Sequence, residues 1–77
     1  MPRRTEADPV AQAFGEAVRR ERQRRGETLE DVTRRIPRMD ARYLGELELG
    51  WHSTTIVTAK KIADALEVPL AKLVRRL

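Results

Sequence analysis

The chain has 77 residues, a length that allows one small domain. It contains no cysteine and a single histidine, which excludes disulfides, thiolate metal sites and histidine-rich metal sites, and no cofactor is expected. The net charge of +4 and the pI of about 10.3 favour an anionic partner, most simply nucleic acid.

The positive charge is concentrated at the two ends of the chain. Residues 1–26 carry a net +3, residues 27–50 a net −2 and residues 51–77 a net +3. No apolar run approaches the roughly 18–20 residues that span a membrane, and the N-terminus lacks the apolar core of a signal peptide. A cytoplasmic protein is therefore expected. A domain this small is marginally stable alone, so self-association is expected as well.

The N-terminal segment predicts a flexible basic arm over residues 1–7 and a helix after it. Arg3 and Arg4 either reach a minor groove or belong to a disordered tail. Asp8-Pro9 is typical of a helix start, with an aspartate cap and proline in the first turn. The apolar stripe follows the helical period and comprises Val10, Phe14, Ala17 and Val18. Gly26 ends this helix.

The middle of the chain predicts two short helices. Thr28 caps "LEDVTRRI", Val32 and Ile36 form its inward pair, and Pro37 ends it. Asp40 caps a third helix over 41–49, which Gly50 ends. The inward residues of this third helix are Leu44 and Leu47.

The last third predicts two more helices. Thr55 caps the fourth, and its inward residues are Ile56, Ala59, Ile62, Ala63 and Leu66. Pro69 breaks the chain before a final short helix, "LAKLVRRL", whose apolar residues are Leu70, Leu73, Val74 and Leu77. The sequence therefore predicts an all-α fold of five short helices over residues 8–77, with no strand and no repeat.

The second and third helices, joined by a short turn, describe a helix-turn-helix. Together with Arg22, Gly26, "LELG" at 47–50 and "KIADALEVPLAKL" at 61–73, this register resembles the phage-repressor-like helix-turn-helix family (lambda repressor/Cro-type, XRE). That family includes small phage repressors, restriction-modification controller proteins and many antitoxins. The resemblance covers residues 14–74. It implies a compact five-helix lambda-repressor-like fold and a homodimer that binds a pseudo-palindromic operator to regulate transcription.

The chain departs from the family pattern in three places. The turn "RIPRM" is about one residue longer than usual and lacks the expected glycine. Thr33 replaces a small alanine where the second and third helices pack. Leu29 stands where many members place a phosphate-binding glutamine, which removes one expected DNA contact.

The resemblance assigns base reading to the exposed positions of the third helix, which is expected in the major groove. These positions are Ala41, Arg42, Gly45 and Glu46, with Tyr43 partly exposed. Arg42 can pair with guanine O6 and N7, Ala41 can touch a thymine methyl group, and Glu46 can accept from cytosine N4. The alternative for Arg42 and Glu46 is a solvated helix surface.

The expected phosphate contacts lie at the rim of this surface. The candidates are Thr28, Arg38, Ser53, Thr54, Thr55 and Lys60. Ser53–Thr55 precede the fourth helix, whose free amides and dipole suit an anion, although simple capping explains them equally well.

Glu48 matches a family position that turns inward to an arginine of the first helix, so Arg22 and Glu48 are predicted to form a buried ion pair. "RRERQRR" at 19–25 is interpreted mainly as a solvated face.

A dimer interface is expected where apolar residues replace polar ones. The candidates are Trp51, Val57, Leu73, Val74 and Leu77, with Leu49 beside them. The alternative is that Trp51 covers the edge of the domain's own core.

The predicted function is a sequence-specific DNA-binding transcription regulator with double-stranded DNA as partner. The alternative is a protein-docking module with weak or no DNA binding, which the net −2 of the middle segment and the longer turn favour. An enzyme is not expected, because the sequence has no glycine-rich phosphate loop and no nucleophile with a base. No membrane partner or small-molecule ligand is evident.

Overall fold

The computed structural model describes residues 8–77, and this part of the chain contains five helices and no strand. The helices are α1 (Pro9–Arg24), α2 (Leu29–Thr33), α3 (Ala41–Glu48), α4 (Ile56–Ala65) and α5 (Leu70–Val74). Helix α1 packs against α3 and α5, α2 packs against α3 and α4, and α4 packs against α5. The predicted all-α, five-helix fold is thereby confirmed. The arm predicted at residues 1–7 lies outside the described residues.

The first four helices begin at the predicted capping residues. Those residues are Asp8, Thr28, Asp40 and Thr55, and each side chain accepts a hydrogen bond from an amide of the first turn. Thr28 forms a full capping box, in which its Oγ1 accepts from the Asp31 amide at 3.0 Å and the Asp31 carboxylate accepts from the Thr28 amide at 2.9 Å. Local sequence therefore sets where α1 to α4 begin.

Helix α2 ends three residues earlier than predicted, at Thr33 instead of Ile36. The amides of Arg35 and Ile36 donate to carbonyls three residues back, so the chain tightens into turns before Pro37. The Thr33 hydroxyl donates to the Leu29 carbonyl at 2.9 Å, so the hydroxyl that replaces an alanine is buried with a partner. Helix α5 is also shorter than predicted and ends at Val74.

The turn between α2 and α3 obtains its left-handed residue without a glycine. Arg38 adopts φ of 65° there, a conformation that is unfavourable for a residue with a side chain. Met39 follows, half-buried against the core, and its amide donates to the Ile36 carbonyl at 3.3 Å. The longer turn thus docks back onto the core before Asp40 starts α3.

The core draws side chains from all five helices. Its fully buried members are Leu44, Leu47, Ile62, Leu66, Leu73, Val18 and Val32. Leu73, expected at a dimer interface, is 1% exposed and fills the core of the single chain. The prediction that Ile56 lies inward is wrong, because Ile56 is 74% exposed. It occupies the first turn of α4, beyond the edge of the core that Ala59 and Ile62 reach.

Two glycines fix the position of α3. A Cβ atom on Gly15 of α1 would lie 2.3 Å from the Leu47 carbonyl oxygen, so the two backbones meet where α1 crosses the end of α3. Gly50, with φ of 82°, turns the chain directly after α3, and its Cα faces Gln12 of α1. Helix α3 is therefore held against α1 along its C-terminal end.

Candidate nucleic-acid interface

An ion pair anchors the inner side of α3. Arg22 Nε donates to Glu48 Oε2 at 2.7 Å and Arg22 Nη2 donates to Glu48 Oε1 at 2.9 Å, the two-point geometry expected of a guanidinium and a carboxylate. The side chains of Arg22 and Glu48 are 14% and 5% exposed. The hydrogen bonds to Glu48 raise the pKa of Arg22. A third bond, from Arg22 Nη1 to the Glu27 carbonyl, completes this anchor at 2.9 Å.

Helix α3 carries the five residues assigned to base reading. The Arg42 side chain is 88% exposed, whereas Ala41, Tyr43 and Glu46 are half-buried. Gly45 is half-buried too, and a Cβ atom there would lie 3.2 Å from Cδ1 of Leu29. Gly45 therefore serves the close packing of α2 on α3, and its Cβ direction does not face solvent.

Glu46 is held by two neighbours. Arg42 Nε lies 3.3 Å from Glu46 Oε2, one helical turn away, and His52 Nε2 lies 2.8 Å from Glu46 Oε1. The hydrogen bond with His52, followed by that with Arg42, lowers the pKa of Glu46, so the carboxylate is ionised at neutral pH. Glu46 thus presents a fixed anion beside the exposed Arg42 guanidinium.

His52 contributes to this surface although the sequence pattern predicts no role for it. Its ring stacks on Tyr43 with centroids 4.7 Å apart and planes 17° from parallel. A loop residue has no helical period to indicate what it contacts. The available signal was its place two residues after Gly50, because a glycine that ends a helix returns the chain over the last turn.

The acidic residues of 40–48 have separate partners. Asp40 Oδ1 accepts from the Tyr43 amide at 2.8 Å, Glu48 pairs with Arg22, and Glu46 contacts Arg42 and His52. None of these carboxylates stands alone on the outer side of α3. The Arg42 guanidinium, by contrast, belongs to the most exposed side chain of this helix.

The residues assigned to phosphate contact lie on three segments. Thr28 caps α2, Arg38 is exposed in the following turn, and Ser53, Thr54 and Thr55 lead into α4. The Thr54 hydroxyl is buried and has no hydrogen-bond partner among residues 8–77, while the Thr55 hydroxyl accepts from the Thr58 amide at 3.1 Å. Lys60 of α4 is paired with Asp64. Arg38 therefore offers a cation that has no ion pair in the described part of the chain.

The "RRERQRR" segment, predicted to be mainly a solvated face, is only partly exposed. Arg19 and Arg20 are exposed on α1. Arg24 is exposed as well, with its Nε donating to Glu21 at 2.9 Å. Arg25 differs, since it is half-buried and its Nε donates to Glu27 at 2.8 Å.

Two hollows on the surface, both lined largely by apolar side chains, share one residue. The apolar residues that line the first hollow include Val10, Phe14, Ile56, Val74 and Leu77, and Asp8 and residues 52–55 line its polar side. The second hollow is lined by Ile56, Val57 and Leu70 with two lysines. Val57 and Leu77 are 60% and 52% exposed, and Trp51 and Val74 are half-buried. Leu49 is 50% exposed but lines neither hollow. Ile56 joins the hollows into one apolar surface.

Residues 8–77 contain no group of histidine and acidic side chains that could hold a metal ion. Within the same range, none of the helices is long and apolar enough to cross a membrane.

No family model matches the sequence, and no curated protein does. Among solved structures, the chain is similar to the restriction-modification controller protein C.AhdI from Aeromonas hydrophila. The two have 27% sequence identity and a TM-score of 0.77, over 82% of this chain and 90% of that chain. The resemblance to phage-repressor-like helix-turn-helix regulators, restriction-modification controller proteins among them, is therefore confirmed.

Proposed function

We propose that the protein is a sequence-specific DNA-binding transcription regulator and that α3 is its recognition helix, inserted in the major groove. The observation that carries the proposal is the arrangement of α3. Its inner side is anchored through Glu48 and Arg22, and its outer side presents a guanidinium that is 88% exposed on Arg42. The similarity to a controller protein supports the same function.

The three acidic residues of segment 40–48 are compatible with binding in a groove lined by phosphates. Asp40 is used as a cap and Glu48 is paired inside the domain, so only Glu46 accompanies Arg42 on the outer side. The nearby positive charge of Arg42 offsets the charge of Glu46. Long-range repulsion between the helix and the phosphates is correspondingly small.

The base contacts follow from the chemistry of the exposed groups. The Arg42 Nη atoms suit guanine O6 and N7, and the Glu46 carboxylate retains lone pairs for cytosine N4. Ala41 suits a thymine methyl group, and Tyr43 lies beside them with its ring on His52. Gly45 is left out of the proposed reading residues because of its packing on Leu29.

The affinity for DNA would come mainly from contacts with backbone phosphates. The N-terminal amides of α4, with Ser53, Thr54 and Thr55 before them, form a surface suited to an anion. Thr28, Arg38 and Lys60 are the further candidates. Since such contacts release counterions, binding should weaken steeply as salt rises.

Two copies would bind two half-sites about one helical turn, roughly 34–36 Å, apart. The apolar surface centred on Ile56 is the proposed contact between the copies, with Val57, Val74 and Leu77 around it. Trp51 remains a candidate for the edge of this contact surface. Leu73 contributes only by supporting α5 from the core.

Selection of bound sites from random double-stranded DNA tests this function. We expect an enriched pseudo-palindrome whose half-sites each contain a guanine. Arg42→Ala should weaken binding to the selected site by about 1–3 kcal/mol and relax the preference at that guanine. Arg19→Ala, which removes the same charge from an exposed position of α1, is the matched control. An Arg42→Ala protein with unaltered site preference would remove Arg42 from the reading surface.

The alternative function is a protein-docking module. It derives from the net −2 of residues 27–50 and the longer turn. However, two of the acids in this segment, Glu27 and Glu48, are paired with arginines of the same chain. A selection experiment that enriches no sequence at low salt would favour this alternative.

A further inference from the structure

We infer that His52 is a positioning residue for base recognition, which fixes the Glu46 carboxylate so that Glu46 in turn orients the Arg42 guanidinium. The inference rests on the proposed function, since it assumes that α3 reads bases. It assigns a role in specificity to a loop residue outside the helix-turn-helix.

The four side chains involved form a continuous series of contacts. The Tyr43 ring stacks on the His52 ring at 4.7 Å between centroids. His52 Nε2 lies 2.8 Å from Glu46 Oε1, and Glu46 Oε2 lies 3.3 Å from Arg42 Nε. Each carboxylate oxygen therefore has a different partner, and the orientation of the carboxylate is set from both sides.

The backbone holds His52 in this place. The Gly50 amide donates to the Leu47 carbonyl at 2.9 Å, and the Trp51 amide donates to the Glu46 carbonyl at 3.1 Å. These bonds fold the chain back over the last turn of α3. The His52 side chain is only 18% exposed there, between Tyr43 and Glu46, so its ring has little freedom.

The series ends on the group that would meet the base. Arg42 is 88% exposed and carries a long, flexible side chain, which a free helix surface would leave without a fixed direction. Contact through Nε leaves both Nη groups available for the two acceptors of guanine. Without His52, the Glu46 carboxylate could rotate. Arg42 Nε would then lose the fixed acceptor that orients its guanidinium.

The test measures how strongly the protein discriminates between two DNA sites that differ at one base pair. The dissociation constant is determined for the selected operator and for the operator with the Arg42-dependent guanine replaced. For His52→Ala we expect the ratio of the two constants to fall about threefold to tenfold, as is typical for residues coupled in one network. Binding to unrelated DNA and the melting temperature should stay close to those of the unsubstituted protein. His52→Gln, whose amide can still donate to Glu46, should restore most of the ratio.

Two results of this measurement would overturn the inference. One is an unchanged ratio for a folded His52→Ala protein. The other is an equal loss for His52→Ala and His52→Gln together with weaker binding to unrelated DNA, which would indicate a structural role for the ring. If random DNA yields no enriched site, both the proposed function and this inference fail. An enriched site with an unchanged ratio refutes only the inference.

A second measurement does not depend on the stability of the His52 variants. The chain has one histidine, so its imidazole nitrogen signals in a long-range proton–nitrogen NMR spectrum need no assignment. Glu46→Gln should shift the Nε2 signal, and Glu16→Gln, at an exposed position of α1, should not. An Nε2 signal that is insensitive to Glu46→Gln would show that the pair does not form, and the inference would fall.

Discussion

The ion pair of Arg22 and Glu48 illustrates what a family resemblance can predict about a single residue. Glu48 directly follows the inward Leu47, and the resemblance implies that an acid at this position turns inward to an arginine of the first helix. The structure has this pair at 2.7 and 2.9 Å. His52 was not predictable in the same way, because its contacts with Tyr43 and Glu46 depend on how the loop after Gly50 returns.

The same ion pair gives a prediction for stability. Glu48→Ala should lower the free energy of unfolding by about 3–5 kcal/mol, because the half-buried Arg22 guanidinium would lose its carboxylate. Denaturation in urea, followed by circular dichroism, measures this. The double variant Arg22→Met/Glu48→Leu should recover much of the loss, since it leaves no stranded charge. A loss of only about 0–1 kcal/mol for Glu48→Ala would mean that the pair acts like an exposed one.

At the scale of helices, the sequence located the starts better than the ends. Starts depend on a local capping side chain, as with Thr28 and Thr55. Ends depend on where the chain must turn to reach the core. Helix α2 stops at Thr33 so that Ile36 can be buried, and Arg38 takes the left-handed conformation that a glycine would normally supply.

One carboxylate joins the ends of three helices. Glu27, in the loop between α1 and α2, accepts from Arg25 at 2.8 Å and also from Arg35, which follows α2. Arg35 Nη1 donates in addition to the Ala65 carbonyl at the end of α4, at 3.1 Å. The hydrogen bonds from Arg35 and then Arg25 lower the pKa of Glu27 from 4.5 to about 2.

This pKa shift predicts a pH dependence of stability. A carboxylate with a lowered pKa in the folded state stabilises the fold fully above its unfolded pKa, here 4.5, and loses that contribution as the pH falls towards about 2. Glu27→Gln should therefore flatten the decrease in the free energy of unfolding between pH 4.5 and about 2. Urea titrations across this range test the expectation. Glu16→Gln is the matched control, and an equal slope for both variants would contradict it.

For the whole molecule, the helical periodicity of the apolar residues predicts most of the core correctly, but it predicts the boundary between core and surface less well. Leu73, expected at a dimer interface, is 1% exposed, whereas Ile56, expected to face inward, is 74% exposed. The apolar stripe of a helix does not reveal where its neighbour ends, and α4 extends a turn beyond the core. The apolar surface proposed for self-association therefore centres on Ile56.

This position makes Ile56 the residue of choice for testing the dimer. Ile56→Glu should raise the dissociation constant for self-association about tenfold or more, as for a residue at the centre of an interface. Sedimentation equilibrium measures the constant. Leu49→Glu places the same charge at a comparably exposed apolar position outside the two hollows, and it should have little effect. Equal self-association of both variants and the unsubstituted protein would refute the Ile56 surface.

The contact at Gly15 has a consequence for how freely this chain can diverge. Where α1 crosses the end of α3, backbone meets backbone, and no side chain at Gly15 sets the separation. Elsewhere in the core, side chains separate the helices, so a change from one aliphatic side chain to another alters the spacing. At this crossing the spacing is independent of such drift. The crossing thus holds α3 at a fixed distance from α1, while the rest of the interior can change composition around it.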